Sequence, residues 1–380
     1  MQRKLLIYET THYETLPGLV ELSLDHFDEI CIFAATPSIL DDCNHFSAFQ
    51  NSHIRWVIKQ PSESHRKFIK KLFRQLSAGA YSHFFINSLD NNLLYFAWLL
   101  RKHPNVHTVL NVHCIHDYIT FRYHSLISFS ESIAKKILHP RIKFYRVLAP
   151  AMPGYLKSFL KNIEVEYIPG MFFNNKTRET DFSQSPFQIV VPGNIEKKRR
   201  HYEIIPAVAK ALGKTLKSDQ QVALVIMGNS NTAYGKVLID AIKHAIADST
   251  VSLITFDRDV PYRIYSRYYY SPVIWTPIRL KMQSIRGIEE INGLSNSAGF
   301  IVDFVHYGQP SLIPSDIHFS KEFDPLFFTY STPDEAAALL NTFINNRDIL
   351  RQRKKSIETI CSTYTSSKFR DTFLRLMKLY

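Results

Sequence analysis

The chain has no apolar run long enough to cross a bilayer. Its longest nearly uninterrupted stretch, LLYFAWLL at Leu93–Leu100, falls far short of the ~18–20 residues that a spanning helix needs, so no transmembrane helix is expected. The opening MQRKLLIYETTHYE carries basic residues, but its apolar stretch ends at Glu9, too soon for a secretory signal core, and reads as a first strand. The four cysteines, Cys31, Cys43, Cys114 and Cys361, show no C-x-x-C spacing, which argues against a disulfide framework or a zinc ribbon and for a reducing, cytoplasmic setting. There is no G-x-S-x-G elbow for a serine hydrolase and no Walker loop. The close carboxylate pairs, Asp41-Asp42 and Asp257-x-Asp259, lack flanking ligands, so no metal site and no bound cofactor are expected. Solenoid-length repeats are also missing.

Acidic residues are in short supply. Against 46 Lys and Arg stand 34 Asp and Glu, a formal charge of +12 that calls for an anionic partner: a nucleic acid, an anionic membrane face or a phosphorylated small molecule. Nucleic-acid binding needs a continuous basic stripe with interleaved aromatics, whereas the basic residues here are scattered over both halves, so no nucleic-acid partner is expected.

A chain of 380 residues is too long for one ordinary core and suits two domains. Short apolar runs, LLIY (5–8), EICIFAA (29–35), IRWVI (54–58), HFFIN (83–87), HTVLNVH (107–113) and YRVLAP (145–150), alternate with helical spacing such as that over 63–76 and 91–101. Buried parallel strands read this way, and the βαβα order implies a doubly wound sheet. The polar stretch NNKTRETDFSQSP (174–186) reads as a linker. The alternation restarts with FQIVVPG (187–193), a helix from about Lys198 to Leu216, VALVIMG (222–228), a helix over 234–247, VSLITF (251–256) and YSPVIWTPI (270–278). Thr332-Pro333-Asp334-Glu335 is a capping box that launches a helix to about Ile344, and a further helical stretch covers roughly 347–379. The expected division is 1–173, the linker 174–186, a second domain over 187–355, and a C-terminal helix over 356–380 that packs back towards the first domain. Both domains are expected to be α/β and Rossmann-like.

Two segments carry chemistry. In VVPGNIEKKRRHYE (190–203) a strand ends at Gly193 and runs into a turn with Lys197, Lys198, Arg199 and Arg200. A close-approach glycine together with guanidinium groups at a strand-to-helix turn suits a diphosphate, because backbone and side-chain donors converge there. In GLSNSAGFIVDFVHYGQPSLIP (293–314) the turn Ser295-Asn296-Ser297 and Ala298 precede a helix closed by Gly308 and Pro310. The amides at that helix start suit a second anion, and Asp303 is placed to accept from ribose hydroxyls.

Together these segments resemble the donor half of GT-B glycosyltransferases, in particular the large retaining group with mannosyl- and glucosyltransferase members. Gly193 with Arg199 or Arg200 matches that group's glycine turn and basic pair on the donor diphosphate. Gly308-Gln309-Pro310 matches the G-x-P turn that ends its E-x7-E helix, and Asp303 stands at the second glutamate; Ser295 stands at the first, a departure from the pattern. The resemblance implies two Rossmann-like domains facing across a cleft. It also implies a nucleotide diphosphate sugar, UDP- or GDP-linked, as donor, held by Gly193, Lys198, Arg199, Arg200, Ser295, Ser297, Ala298 and Asp303, and a metal-independent reaction.

In the first domain His113 ends a strand and looks like the family's strand-end histidine, which approaches the donor sugar, with His116 and Asp117 just beyond it. The polar first turn offers Glu9, Thr10, His12 and Glu14 towards an acceptor, with Glu9 or Glu14 as candidate base. The acceptor is expected to be a glycan or a lipid-linked sugar in cell-surface polysaccharide or glycolipid synthesis. The stretch 62–76 interleaves basic and apolar residues, so its helix is a candidate contact with the anionic inner face of a membrane. A nucleotide-sugar epimerase or hydrolase on the same fold, or a binding protein without turnover, are the competing readings. Charge-assisted contacts are worth on the order of 1.5–3 kcal/mol each. Arg199→Ala or Arg200→Ala should therefore weaken nucleotide affinity roughly tenfold or more by calorimetry; wild-type affinity in both variants removes the phosphate assignment.

Overall fold

The computed structural model describes residues 3–79, 81–89, 92–174 and 179–380. They form two compact units. The first comprises the chain up to Phe172, Leu294–Ser297 and Tyr364–Tyr380; the second comprises Phe173–Gly293 and Ala298–Thr363.

In the first unit seven strands, β1 (Lys4–Glu9), β2 (Glu29–Ala34), β3 (Ile54–Ile58), β4 (His83–Ile86), β5 (His107–Asn111), β6 (Phe144–Val147) and β7 (Glu164–Tyr167), lie parallel in the order β3-β2-β1-β4-β5-β6-β7. The central strands are apolar on both faces, as a sheet covered by helices on both sides requires: Leu5, Leu6 and Ile7 have no exposed surface. The helix His65–Ser77 begins with Ser64 accepting from the Lys67 amide, and buries Phe68, Ile69, Leu72, Phe73 and Leu76 in the unit's own core. Its apolar face is therefore unavailable to lipid, which corrects the expectation that 62–76 lays that face on a membrane; only its basic face reaches solvent.

The second unit carries β8 (Phe187–Val191), β9 (Val222–Asn229), β10 (Val251–Phe256), β11 (Val273–Trp275), an antiparallel hairpin of β12 (Lys281–Gln283) and β13 (Glu289–Ile291), then β14 (Ser311–Pro314) and β15 (Phe328–Tyr330). Its six-stranded parallel sheet is ordered β10-β9-β8-β11-β14-β15. The hairpin and the three short strands β7, β14 and β15 carry no sequence signal long enough to separate them from loop.

Three boundaries differ from expectation. The helix expected from Lys198 starts at Ile205, with Pro206 in its first turn, because Lys197 and Arg200 hold their carbonyls towards Arg279 Nε, 3.2 Å from each, and stay in a turn. The stretch expected as one helix over 347–379 is two, Asp348–Cys361 and Ser366–Met377, the second capped by Thr365 accepting from the Lys368 amide. Of the stretch 174–186, residues 175–178 lie outside the described residues, as does Asn91 at the start of the expected helix 91–101. The rest of 174–186 packs on the second unit: Phe182 joins its core, and Arg347 donates to the Phe182 carbonyl at 2.7 Å. Among the described residues no helix is long and apolar enough to cross a membrane.

The helix Ser366–Met377 is tied to the rest of the first unit by two imidazoles, one buried and one half-buried. His83 Nε2 donates to the Met377 carbonyl at 3.0 Å, and His107 Nε2 to that of Leu376 at 2.9 Å. Burial, with the charge of neighbouring His107 adding to it, pushes His83 down to about 4. Neutral in the fold, His83 takes up a proton near pH 6.5 once unfolded, so its contribution is intact above pH 6.5 and is lost as the pH falls towards 4. Acid melts should show the first unit losing about 3 kcal/mol over that window through His83. His83→Gln should flatten the dependence, and a profile equally steep in the variant refutes the assignment.

Candidate functional site

A doubly wound sheet binds ligands outside the carboxyl ends of its strands, at the point where the strand order reverses. In the second unit that point lies between β8 and β11. Gly193, two residues past β8, has φ +90°, and a Cβ there would collide with Arg200 Nη2; only glycine lets the guanidinium lie against the backbone. Arg200 Nη1 is buried without a hydrogen-bond partner among the described residues. A buried guanidinium N–H left unpaired is costly, and an anion at the strand ends would satisfy it. Thr276 Oγ1, just past β11, is likewise buried and unpartnered, and Ile278 pairs with Arg200 across an isolated bridge.

The turn is held from several sides. Tyr202 donates its hydroxyl to the Gly193 carbonyl at 2.8 Å, Arg279 pairs with Glu203, and a Cβ at Gly228, on β9, would stand 2.7 Å from the Gly193 carbonyl oxygen. Of the basic run, Lys197 and Lys198 face solvent and Arg199 is ion-paired with Glu196 at 3.8 Å, so Arg200 alone turns inward.

The second segment forms the helix Phe300–Tyr307, ended by Gly308 at φ +57°. No side chain caps its first turn, and Ala298 just before it holds φ +46°, a left-handed conformation that costs a non-glycine residue on the order of 1 kcal/mol. Asp303 accepts from the Tyr265 hydroxyl at 2.7 Å. Burial, then the Asp303 charge, drives the Tyr265 phenol well above its usual range, so it remains a donor. Tyr269 stacks on Tyr307 with centroids 4.6 Å apart, and its hydroxyl has no partner among the described residues. Asp303 thus sits in a tyrosine-lined setting.

In the first unit the order reverses between β1 and β4. Glu9, at the end of β1, is fully buried: its Oε1 accepts from the amides of Thr10, Thr11 and His12 at 2.6 Å each and from Ser88 Oγ at 2.5 Å, while Asn87 Nδ2 reaches Oε2. The carboxylate folds the first turn over itself, an occupation that leaves little room for an acceptor hydroxyl. What this turn presents is a different group. His12 Nδ1 donates to Glu14 Oε1 at 3.0 Å, and the His12 ring stacks on His113 at 4.0 Å between centroids. His113 in turn donates from Nε2 to the Asn87 carbonyl at 2.8 Å. Burial works to raise the Glu14 carboxyl, but the hydrogen bond and charge of His12, with His113 adding, hold it below the usual range. Asp117 is buried in the short helix Ile115–Ile119, and its carbonyl and that of Thr120, just past the helix, accept from Lys135. Ser295 and Asn296 belong to this unit: the Ile115 amide donates to the Ser295 carbonyl at 2.7 Å, and Cys114 bridges to Asn296.

The structure therefore gathers Gly193 with Arg200, and His12 with Glu14 and His113, while Lys198 stays in solvent and Thr10, Asp117, Ser295 and Ser297 are buried. Tyr202, Gly228, Arg279, Asn87, Ser88 and Tyr265 stand in no motif of the sequence. Gly228 closes an apolar strand run, the one signal that could have marked it; the others work through contacts far along the chain. Among the described residues no three His, Cys, Asp or Glu are grouped to hold a metal ion.

This is the two-domain α/β architecture of the GT-B fold, two parallel sheets of seven and six strands with surrounding helices. Among solved structures the chain is similar to a glycosyltransferase from Rickettsia africae ESF-5, at 11% identity and a TM-score of 0.62, over 99% of this chain and 98% of that one. It is similar also to WaaG, a glycosyltransferase involved in lipopolysaccharide biosynthesis, at 8% identity and a TM-score of 0.60, over 97% and 99% of the two chains. A third is the UDP-GlcNAc 2-epimerase of Neisseria meningitidis bound to UDP-GlcNAc, at 12% identity and a TM-score of 0.58, over 98% and 99%. No protein-family model matches the chain, and no curated protein matches it in sequence.

The two glutamates of the first turn should separate in a denaturant titration. Glu9→Gln removes an acceptor of several charge-assisted bonds and should lower stability by roughly 1.5–3 kcal/mol; Glu14→Gln, on a half-exposed pair, should lower it by no more than about 1 kcal/mol. Equal losses contradict the scaffold role of Glu9.

Proposed function

We propose that the chain transfers a sugar from a nucleotide diphosphate sugar, UDP- or GDP-linked, to a hydroxyl group of a glycan or lipid-linked acceptor in cell-surface polysaccharide or glycolipid synthesis. The observation that carries the reading is the buried, unpartnered Arg200 Nη1 beside the positive-φ Gly193 at the strand-order reversal of the second unit. An unsatisfied guanidinium N–H at that place asks for an oxyanion, and a diphosphate leaving group gains negative charge as its bond to the sugar breaks.

In this reading the anomeric carbon parts from the diphosphate oxygen, and Arg200 with the turn amides takes up the charge on the departing group. The start of the helix Phe300–Tyr307, with Ser297 and Ala298 before it, adds its dipole. Asp303, oriented by Tyr265, holds the ribose. In the first unit His12, polarised by Glu14 and stacked on His113, accepts the proton of the acceptor hydroxyl as the new glycosidic bond forms. The reaction is proposed to run in the cytoplasm and without a bound metal, since these donors already take the charge-neutralising part.

The likeness to the neisserial epimerase keeps a second reaction class open, because its similarity matches that of the transferases. A thermal-shift screen against UDP, GDP, CMP and their sugars separates the outcomes. A selective nucleoside diphosphate hit, followed by a new glycoside with an acceptor panel, supports transfer; an epimer or free sugar formed without acceptor assigns the other chemistry. No shift with any nucleotide overturns the donor site.

A further inference from the structure

The second unit has a cavity at the end of its sheet away from the Gly193 turn. Gln188, near the start of β8, and Ser271, just before β11, lie on its wall, at the amino ends of two neighbouring strands. At ~3.3 Å per residue along a parallel strand, the stretch from Gln188 to Gly193 separates the two places by about 16 Å. The cavity has a volume of about 210 Å³. That is below the ~300–1,000 Å³ of a pocket for a drug-sized molecule, and leaves room for one small ring.

Its walls are held from behind. Buried Ser271 donates its hydroxyl to Gln188 Oε1 at 2.7 Å, so Nε2 is the group that this carboxamide has left to offer. Glu179 and Asp181 come from one short stretch that is pinned at Thr180, which donates to Oε1 of the fully buried Gln309 at 2.9 Å. Asp181 accepts from the Ser183 amide and hydroxyl, at 2.8 and 2.5 Å, through Oδ1, which leaves Oδ2 for a guest. Two rings complete the lining. Tyr270 stands edge-on to Tyr307 at 5.2 Å between centroids, and Tyr268, in the helix Tyr262–Tyr269, edge-on to Phe256 at 5.8 Å.

Arg267 and Glu179 line the same cavity, yet among the described residues neither has an ion-pair partner. Opposite charges that surround a gap without closing it leave donors and acceptors for a third party. That guest has to donate to the carboxylates and accept from the guanidinium and the Gln188 amide, and a hydroxyl does both. A phosphate only accepts, and meets two carboxylates; an ammonium only donates, and meets Arg267. Among the described residues no His, Cys, Asp and Glu are grouped here to hold a metal ion. Tyrosine rings add flat apolar faces for C–H groups, which a polyol chain lacks in ordered form and a pyranose ring presents on one side.

From these observations we infer that the cavity is a saccharide-binding site, separate from the donor turn, that takes one uncharged pyranose unit of a glycan. The carboxylates, Arg267 and Gln188 hold its hydroxyls, and Tyr268 and Tyr270 pack against the ring. Glu179, Asp181 and Arg267 are exposed, so the mouth opens to solvent and a glycan can continue outward from the bound unit. The inference is independent of sugar transfer: it stands on the lining of this cavity alone.

Saturation-transfer NMR of the full chain with the methyl glycosides of glucose, galactose, mannose and N-acetylglucosamine, in the presence of excess UDP, tests it. At least one glycoside should give a transfer signal with the wild type. Arg267→Ala and Glu179→Gln, at exposed positions without ion-pair partners, should each weaken its affinity roughly fivefold or more. Their melting temperatures, and the shift that UDP produces, should stay as in the wild type. Absence of a signal from all four glycosides overturns the inference, and so does an affinity that both variants leave unchanged, which puts the sugar elsewhere. Choline or inorganic phosphate that binds in place of the glycosides, and is lost in the same variants, also overturns it by giving the cavity to an ion.

Discussion

A parallel sheet wound from its middle outward must reverse its strand order once, and the two strands at the reversal send their chains off to opposite sides. Nothing of the backbone then covers the carboxyl ends between them. In this chain the reversals fall at β1 and β4 in one unit and at β8 and β11 in the other, and the polar groups of interest gather at those ends. Each end is built differently. After β8 the chain makes room for a guanidinium by dispensing with a side chain at Gly193. After β1 it folds tightly over a buried carboxylate, Glu9, whose oxygens collect amides and side-chain donors from two strand ends, those of β1 and β4.

These two solutions have different chemical consequences. The Glu9 network is closed, with donors matched to acceptors, and so it fixes geometry; what it holds out is the Glu14–His12–His113 group, a carboxylate and two imidazoles in series. The Gly193 turn is open. Its outer contacts through Tyr202, Arg279 and Gly228 are satisfied, yet Arg200 Nη1 is left with no partner, the arrangement expected of a site preorganised for an anion and not of a turn that merely stabilises itself.

Much of the fold was legible because long apolar strands and the switch between two periodicities leave a strong trace. The strands β1–β6 and β8–β10 sit where runs such as LLIY and VALVIMG place them, and the short β11 lies inside YSPVIWTPI. Short strands such as β7 or β15, and the hairpin of β12 and β13, depend on neighbours far along the chain for their pairing, which no local pattern encodes. The candidate sites were legible in part for the same reason. A glycine after a strand, followed by arginines, can be seen in one line of sequence; that Arg200 turns inward while Lys197 and Lys198 face water depends on Arg279, some eighty residues on, holding the turn's carbonyls. Glu9 shows the converse. A carboxylate in a polar turn looks like a base until its burial and its donors are known. The helix 65–77 likewise reads as amphipathic whether its apolar face meets lipid or its own sheet, and here it meets the sheet.

The function proposed above stands or falls with a diphosphate bound at the turn of Gly193 and Arg200. Diffraction from crystals soaked with UDP tests it most directly. Density for the two phosphates is expected against the Gly193 turn, with Arg200 Nη1 within hydrogen-bond distance of a phosphate oxygen. A nucleotide bound elsewhere, with Arg200 Nη1 still unpartnered, contradicts it.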